Sequence, residues 1–205
     1  MLYIATFAKL VIHSSKMDIS LKMKHLSLIL VLLLFSCKSD PKKEVLAEDG
    51  LDQSVYAIWN SYIQEHPEFK NNELPESWYF HNNKEDADRL AELTVSGKKQ
   101  ASSSLYSLYT IYEMDVPTVG TKRIITNFDG EAMAIIEIKS VAIVPFNEIT
   151  TDYAALDLGT TIEPLEKWKK AHWDFFEEFS KVSGVKPTEN MLIFCEKFET
   201  IWTTK

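Results

Sequence analysis

The sequence predicts a mixed α+β domain, built from a small barrel or curled sheet of short antiparallel strands with helices packed around it. Three observations predict this class. Apolar residues repeat at three- and four-residue steps in segments near both ends of the domain. Two segments rich in isoleucine and valine flank Asp129-Gly130, which is a strong hairpin signal. An alternating apolar segment, "MLIFCEKFETIW", closes the chain as a further strand.

Three helices are predicted from these repeats and from their end signals. The first lies in "SVYAIWNSYIQEH" and ends at Pro67. The second follows Asn83, a suitable N-cap, and ends before Gly97, a natural residue just beyond a helix C-terminus. The third begins near Pro164 and stops at Gly184. The segment "SGKKQASSSLY" is therefore expected to be the exit of the second helix, with its two lysines near the helix carbonyls.

The N-terminal part resembles a bacterial lipoprotein signal. "MKHLSLILVLLLFSCKSD" has a basic start, an apolar run of about ten residues that is too short to span a bilayer, and then Cys37. We expect residues 1–36 to be a signal peptide, with 1–22 an over-called start, and residues 37–53 to be a lipidated cysteine and a flexible tether. Residues 54–205 would form the domain, anchored to a membrane of the bacterial cell envelope outside the cytoplasm. An ordinary secretory signal or an uncleaved anchor is the alternative.

Charge bears on the class of partner. The net charge is −8, and loss of residues 1–36, which hold four lysines and one aspartate, would make it −11. A chain this acidic repels a long phosphate backbone, so polymeric nucleic acid is disfavoured as a partner and a small molecule is favoured.

Cysteine and histidine usage offers little reactive chemistry. If Cys37 carries lipid, Cys195 has no disulfide partner, and its apolar alternating surroundings predict a buried strand residue. His66, His81 and His172 share no short spacing, so no metal site and no cofactor are expected. His172 falls on the apolar face of the third helix and is expected to be a hydrogen-bonded core or rim residue.

Four blocks of the sequence, in this order and spacing, resemble the ASCH domain family. They are "LPESWYFHNNKEDADRLAELTVSGKKQASSSLYSLYTIYE", "PTVGTKRIITNFDGEAMAIIEIKSVAIVPFNEI", "EKWKKAHWDFF" and "FCEKFETIW". The match is closest to the stand-alone bacterial branch. The resemblance implies a PUA-like fold, in which helices surround a small β-barrel with a cleft on one side.

The resemblance also implies candidate activities and residues. The family has been proposed to bind RNA, some members are described as amidohydrolases that deacetylate N4-acetylcytidine, and others are reported as ribonucleases. In the amidohydrolases a G-x-K-x-x-T stretch supplies a lysine and a threonine nucleophile. Gly97, Lys99 and Ser102 match it here, with serine for threonine. The family glutamate corresponds to Asp157, with Glu163 as the alternative acid, in a segment expected to be a loop before the third helix.

Four further residues are candidates for ligand binding in such a cleft. Trp78 and Phe80 follow Pro75 and could stack on a planar base. Lys98 and Ser103 lie beside the matched lysine and serine and could contact a polar or anionic ligand.

Three hypotheses follow from these residues. In the first, the same cleft holds a nucleoside-like or RNA-derived ligand without chemistry. In the second, the protein hydrolyses an amide on an N-acylated nucleoside, with Ser102 as nucleophile and Lys99 as base, which requires burial to lower the pKa of the lysine. In the third, the fold serves as a non-catalytic interaction protein. We favour the binding module.

Overall fold

The computed structural model of the protein describes residues 50–184 and 186–204. The predicted signal peptide, Cys37 and most of the predicted tether lie outside the described residues, so lipid anchoring stays a prediction. Within the described part of the chain, no helix combines the length and the apolar character that crossing a membrane requires.

Five strands form one mixed sheet in the order β1-β3-β4-β5-β2. Their bounds are β1 Ser77–Trp78, β2 Ala101–Leu105, β3 Lys122–Thr126, β4 Ala132–Pro145 and β5 Leu192–Thr203. β1 pairs with β3 in parallel, and the other neighbours are antiparallel. The hairpin predicted at Asp129-Gly130 is confirmed as the connection between β3 and β4.

The small barrel that the resemblance implies is corrected to an open mixed sheet. Within the described residues β1 and β2 are the two edges, and they do not pair with each other. Closure of a barrel needs continuous hydrogen-bonded pairing around the sheet, and a two-residue β1 is too short to supply it. The α+β class is confirmed, and the barrel is only approximate.

In the part of the chain that the structure describes, five α-helices surround the sheet: α1 Gln53–Glu65, α2 Lys84–Val95, α3 Ser107–Ile111, α4 Thr151–Leu158 and α5 Pro164–Ser183. The three predicted helices are α1, α2 and α5. The Asn83 side chain caps α2 by accepting from the Asp86 backbone N–H, and Gly184 ends α5 in the left-handed conformation. α3 and α4 were not predicted.

The segment "SGKKQASSSLY" is only partly a helix exit. Gly97 and Lys98 leave α2, as expected, but Ala101–Leu105 form β2, in which every residue is buried. β2 pairs antiparallel with β5, so that Ser102 lies beside Glu196 and Ser103 beside Cys195. Because side chains alternate along a strand, Ser103 faces one side of the sheet and Ser102 the other.

Three apolar clusters hold the helices against the sheet. α4 and α5 pack on Ala101 and Leu105 of β2, and Trp168 of α5 is fully buried there. α2 packs on a second cluster that includes Phe80 and Phe198. α1 packs on a third cluster over β3 and β4. The edge strand β2 is thus packed against α4 and α5, and this position brings the candidate site residues together.

Candidate functional site

Lys99 and Asp157 form a buried ion pair between the start of β2 and the end of α4. The Lys99 Nζ atom lies 2.6 Å from Asp157 Oδ1, and both residues are only 3% exposed. Lys99 Nζ also donates to the Asp157 carbonyl at 2.6 Å and to the Ala101 carbonyl at 2.8 Å. An ammonium group has three donors, so all three are directed at protein oxygen atoms.

The end of α4 explains why this pair can form. α4 is capped by the Thr150 side chain at its start and ends at Gly159, whose φ of 65° is left-handed. A side chain at Gly159 would be strained there and would touch the backbone of Lys98 and Lys99. Gln100 N–H donates to the Leu156 carbonyl at 2.9 Å. The lysine segment therefore lies on the C-terminal turn of α4, where cations are favoured.

The Asp157 carboxylate has further hydrogen-bond donors besides Lys99. Its Oδ2 atom accepts from Ser103 Oγ at 2.6 Å and from Trp168 Nε1 at 2.7 Å. Tyr153 OH lies 3.0 Å from Ser103 Oγ and donates to the Ser102 carbonyl at 2.7 Å. We call these five side chains the Asp157 network: Lys99, Ser103, Tyr153, Asp157 and Trp168.

Electrostatics favour the ionised form of Asp157. Burial opposes ionisation, but the Lys99 charge and the hydrogen bonds from Lys99 and Ser103 outweigh it and lower the Asp157 pKa from 3.8 to about 2. The ionised carboxylate and two backbone carbonyls accept from the three donors of Lys99 Nζ. The arrangement therefore suits a structural ion pair.

His172 contacts the other side of the network. Its Nδ1 lies 2.9 Å from the Trp168 carbonyl, which assigns the proton to Nδ1, and its ring stacks on Trp168. Its Nε2 lies 3.5 Å from Asp157 Oδ2 and has no hydrogen-bond partner among the described residues. Burial lowers the His172 pKa from 6.5 to about 4, so the ring is neutral at pH 7. The prediction of a hydrogen-bonded core histidine is confirmed.

Ser102 lies on the opposite face of β2 from the Asp157 network. Its cross-strand neighbour Glu196 is 3% exposed and pairs with Arg123, whose Nη1 lies 3.2 and 3.3 Å from the two carboxylate oxygens. Burial raises the Glu196 pKa, and Arg123 opposes this only in part. The structure thus brings Lys99 together with Asp157 and Ser103, and Ser102 together with a second ion pair.

The remaining candidates occupy different places. Trp78 and Phe80 were expected to stack on a ligand, but they are 5% and 1% exposed and pack against each other edge to face. Both belong to the cluster under α2, so neither offers an open ring face, and that expectation is corrected. Lys98 is exposed, as is Glu163, which lies 3.7 Å from Lys167. Asp157, the other candidate acid, is the one in contact with Lys99.

Asp157 itself lies in a helix and not in the expected loop. The segment "TDYAALDL" forms α4, which directs Tyr153 and Asp157, four residues apart, to the same side. Sequence reasoning missed Tyr153 and Trp168 as network members. Residues four apart lie on the same side of a helix. This spacing would have grouped Trp168 with His172 in the predicted third helix, and Tyr153 with Asp157 if α4 had been predicted as a helix.

A cavity of about 210 Å³ lies between β4, β5 and the start of α4, and Tyr153 of the network is one of its lining residues. Tyr153 and Cys195 are buried lining residues, whereas Glu148 and Lys197 are exposed and form its rim. We call it the Tyr153 cavity; its other lining residues are Ser140, Ala142, Val144, Ile149 and Thr150. Cys195 is buried and free, and burial raises its pKa to about 12, so its thiol stays protonated.

A larger cavity of about 710 Å³ lies elsewhere, between α1 and the end of β5, and shares no residue with the network. We call it the α1 cavity; Ser61, His66 and Trp202 are among its lining residues. Within residues 50–184 and 186–204, no group of three or more histidine, cysteine or carboxylate side chains is arranged to hold a metal ion.

Comparison with known proteins identifies the family. Residues 76–202, more than half of the chain, match the model of the ASCH domain. The ASCH domain from Lactobacillus crispatus JV V101 is similar in structure, with a TM-score of 0.69 and 29% identity over 77% of this chain and 99% of that one. Protein EF3133 from Enterococcus faecalis V583 has a TM-score of 0.67 and 28% identity, over 73% of this chain and 89% of that one. No curated protein matches. The chain belongs to the ASCH domain family.

Proposed function

We propose that this protein binds a small, planar, polar ligand of the nucleobase or nucleoside type in the Tyr153 cavity, without chemical turnover. The observation that carries the proposal is that this cavity and the Asp157 network share Tyr153. Tyr153 is one of the lining residues of the cavity, and its hydroxyl donates to the Ser102 carbonyl. The family's proposed association with RNA supports the ligand class.

The size of the cavity limits the ligand. Ordinary small-molecule pockets start at about 300 Å³, so 210 Å³ admits one ring system and leaves an attached sugar at the mouth. The rim supplies one cation, Lys197, and one anion, Glu148, which can pair with the acceptor and donor edge of a base. The acidic net charge of the chain opposes a long RNA at this site.

The geometry supports binding over hydrolysis. A serine nucleophile needs a base within hydrogen-bond reach. Lys99 directs its three donors at protein oxygens and is paired with an ionised Asp157, and Ser102 lies on the other face of β2. The hydrolase hypothesis would require Lys99 to leave all three acceptors before it could take a proton.

The binding experiment compares two cavities in one protein. Titration calorimetry with cytidine and N4-acetylcytidine measures affinity for the wild type, for Ser140→Phe in the Tyr153 cavity, and for Ser61→Phe in the α1 cavity. Both serines are exposed, so neither change should unfold the protein. We expect Ser140→Phe to weaken binding at least tenfold and Ser61→Phe to leave it unchanged. The reverse pattern, or no binding to the wild type, would contradict the proposal.

We also propose that the protein is held at a membrane of the bacterial cell envelope through a lipid on Cys37. The basic start, the apolar run of about ten residues and the cysteine that follows support this. Fractionation of cells that express the full chain should place the wild type with membranes and Cys37→Ser in a soluble fraction. A Cys37→Ser variant that stays with the membranes would contradict lipid anchoring at this residue.

A further inference from the structure

One edge of the sheet remains open over half the length of β4. On that side β3 pairs with β4 only as far as Glu137, and Gly120 and Thr121 then bond to Ile138. On the other side β4 stays paired with β5 as far as Pro145. From residue 139 to 145 the outer edge of β4 therefore has no neighbouring strand within the described part of the chain.

The direction of the backbone groups along this edge follows from the pairing. Phe198 N–H donates to Gln100 O, so Phe198 of β5 points its backbone groups away from β4. The backbone N–H and C=O groups of the preceding residue, Lys197, therefore point towards β4. Its partner there is Ser140, because the pairing register shifts at Lys139. Alternation along β4 directs the N–H and C=O groups of Val141 and Ile143 outwards, away from β5.

This edge is complementary to itself. Suppose that the β4 strands of two copies run antiparallel, with a two-fold axis at Ala142. Val141 of the first copy then lies opposite Ile143 of the second, and by symmetry Ile143 of the first lies opposite Val141 of the second. Val141 and Ile143 both point their backbone groups outwards, so the backbone groups of each of these two cross-strand pairs can form hydrogen bonds. If the two-fold axis passed through any other position in this stretch, Val141 and Ile143 of one copy would not lie opposite Ile143 and Val141 of the other.

Side chains on the edge favour the same contact. Val141 is 39% and Ile143 is 46% exposed, and self-pairing would join these apolar side chains across the two strands. Open edges are usually protected by charged residues or proline, and residues 140–144, "SVAIV", contain neither. Lys139 would lie opposite Pro145 of the second copy, and its charge is already paired within its own copy, 2.6 Å from Glu137 and 3.3 Å from Glu199, so it does not oppose the contact.

We propose that two copies of this chain pair through the outer edges of β4 to form a symmetric dimer with a continuous sheet. Ser140, Ala142 and Val144 also line the Tyr153 cavity. The second copy's strand therefore extends the wall of that cavity, although the dimer itself does not depend on any ligand.

Disulfide cross-linking tests the register of the pair. The full chain carries Cys37→Ser and Cys195→Ala, which remove both native thiols. Ala142→Cys then introduces a single thiol in each copy. At the two-fold axis the two α-carbons would be about 4.5 Å apart, within the range of roughly 4.4–6.8 Å that disulfides need. The matched control is Ser140→Cys, whose two copies would be about 14 Å apart, since four residues separate them at about 3.4 Å per residue. Copper phenanthroline serves as the oxidant.

We expect Ala142→Cys to give a covalent dimer at least tenfold faster than Ser140→Cys. Sedimentation of the wild type should give the mass of two chains, Ile143→Lys the mass of one, and Ile162→Lys, at a 66% exposed position outside the edge, again two. Equal cross-linking of the two cysteine variants would overturn the proposal, as would a wild type that sediments as one chain at 100 micromolar. A dimer that survives Ile143→Lys would also overturn it.

Discussion

Among the described residues, two buried ion pairs differ in how their carboxylates are hydrogen-bonded. Asp157 and Glu196 are each 3% exposed, and each faces one buried cation. Asp157 lies 2.6 Å from Lys99 and also accepts from Ser103 and Trp168. Glu196 lies 3.2 Å from Arg123. The pKa of Asp157 is lowered to about 2, and that of Glu196 is raised.

The difference shows that burial alone does not decide the charge state of a carboxyl group. Burial raises the pKa of both groups, and only the donors around Asp157 compensate for it. Asp157 is therefore ionised at neutral pH, in a network that shares Tyr153 with the Tyr153 cavity. The Arg123–Glu196 pair, on the face of the sheet that Ser102 occupies, is held less tightly.

The largest expected effect is that of Asp157→Asn, which would leave the Lys99 charge buried without its counter-ion. We expect the free energy of unfolding to fall by about 3–5 kcal/mol, measured by urea denaturation. Asp129→Asn is the matched control, because Asp129 also contacts a lysine, Lys84, but at the surface. That change should cost less than about 1 kcal/mol. Equal costs would mean that the Asp157 network does not stabilise the fold.

Acidification should reveal His172 as the next largest effect. The His172 pKa is about 4 in the folded protein and 6.5 in the unfolded chain, so between these values only the unfolded chain takes up the proton. Stability should fall by about 3 kcal/mol as the pH drops from 6.5 to 4. Asp157 contributes a further loss only between its unfolded pKa of 3.8 and about 2.

His172→Phe is the control for this prediction, because it keeps an aromatic ring on Trp168 and removes the titrating group. Its free energy of unfolding should lack this loss between pH 6.5 and 4. Parallel pH profiles of the variant and the wild type would show that His172 is not buried in its neutral form.

A smaller effect is expected at the second ion pair. Glu196→Gln should lower the free energy of unfolding by about 2 kcal/mol, because it removes the nearer of the two carboxylates that face Arg123, Glu196 and Glu76, but this carboxylate is one that burial already disfavours. Unfolding of both variants in the same urea series gives the comparison. A cost equal to or above that of Asp157→Asn would reverse the ranking of the two pairs.

The smallest expected effect sharpens the description of the network. Tyr153→Phe removes the hydroxyl that donates to the Ser102 carbonyl and keeps the ring in the core. We expect a loss of about 1 kcal/mol, measured by thermal unfolding. Tyr112→Phe, at a partly buried ring on the edge of the same core, is a comparison for removal of a tyrosine hydroxyl. If Tyr153→Phe lowered the free energy of unfolding by more than Asp157→Asn does, the Tyr153 hydroxyl, and not the Asp157 carboxylate, would be the main stabilising group of the network.

Much of the fold was predictable from local signals. Asn83 caps α2, and Gly184 ends α5, because caps and left-handed glycines act on their immediate neighbours. β2 was not predictable in the same way. "ASSSL" has low strand propensity, and it becomes a strand because it pairs with β5 and packs under α4. The open sheet likewise depends on the short β1, which no periodicity reveals.

The candidate site was predictable only in part. The family resemblance paired Lys99 with Asp157, and the two residues are in contact. The same resemblance placed Ser102 beside Lys99, but strand alternation places Ser103 on the network side. Trp78 and Phe80 were taken for exposed rings because sequence does not reveal that α2 covers them.

The central claim is that the Tyr153 cavity binds a nucleoside-like ligand while Lys99 stays paired with Asp157 and takes no part in chemistry, and one assay with N4-acetylcytidine tests both parts. Heat of binding and acetate release would be measured on the same protein, with Ser102→Ala beside the wild type. We predict saturable binding with no acetate release by either protein. Acetate release by the wild type that is lost in Ser102→Ala would contradict the claim and make the protein an amidohydrolase.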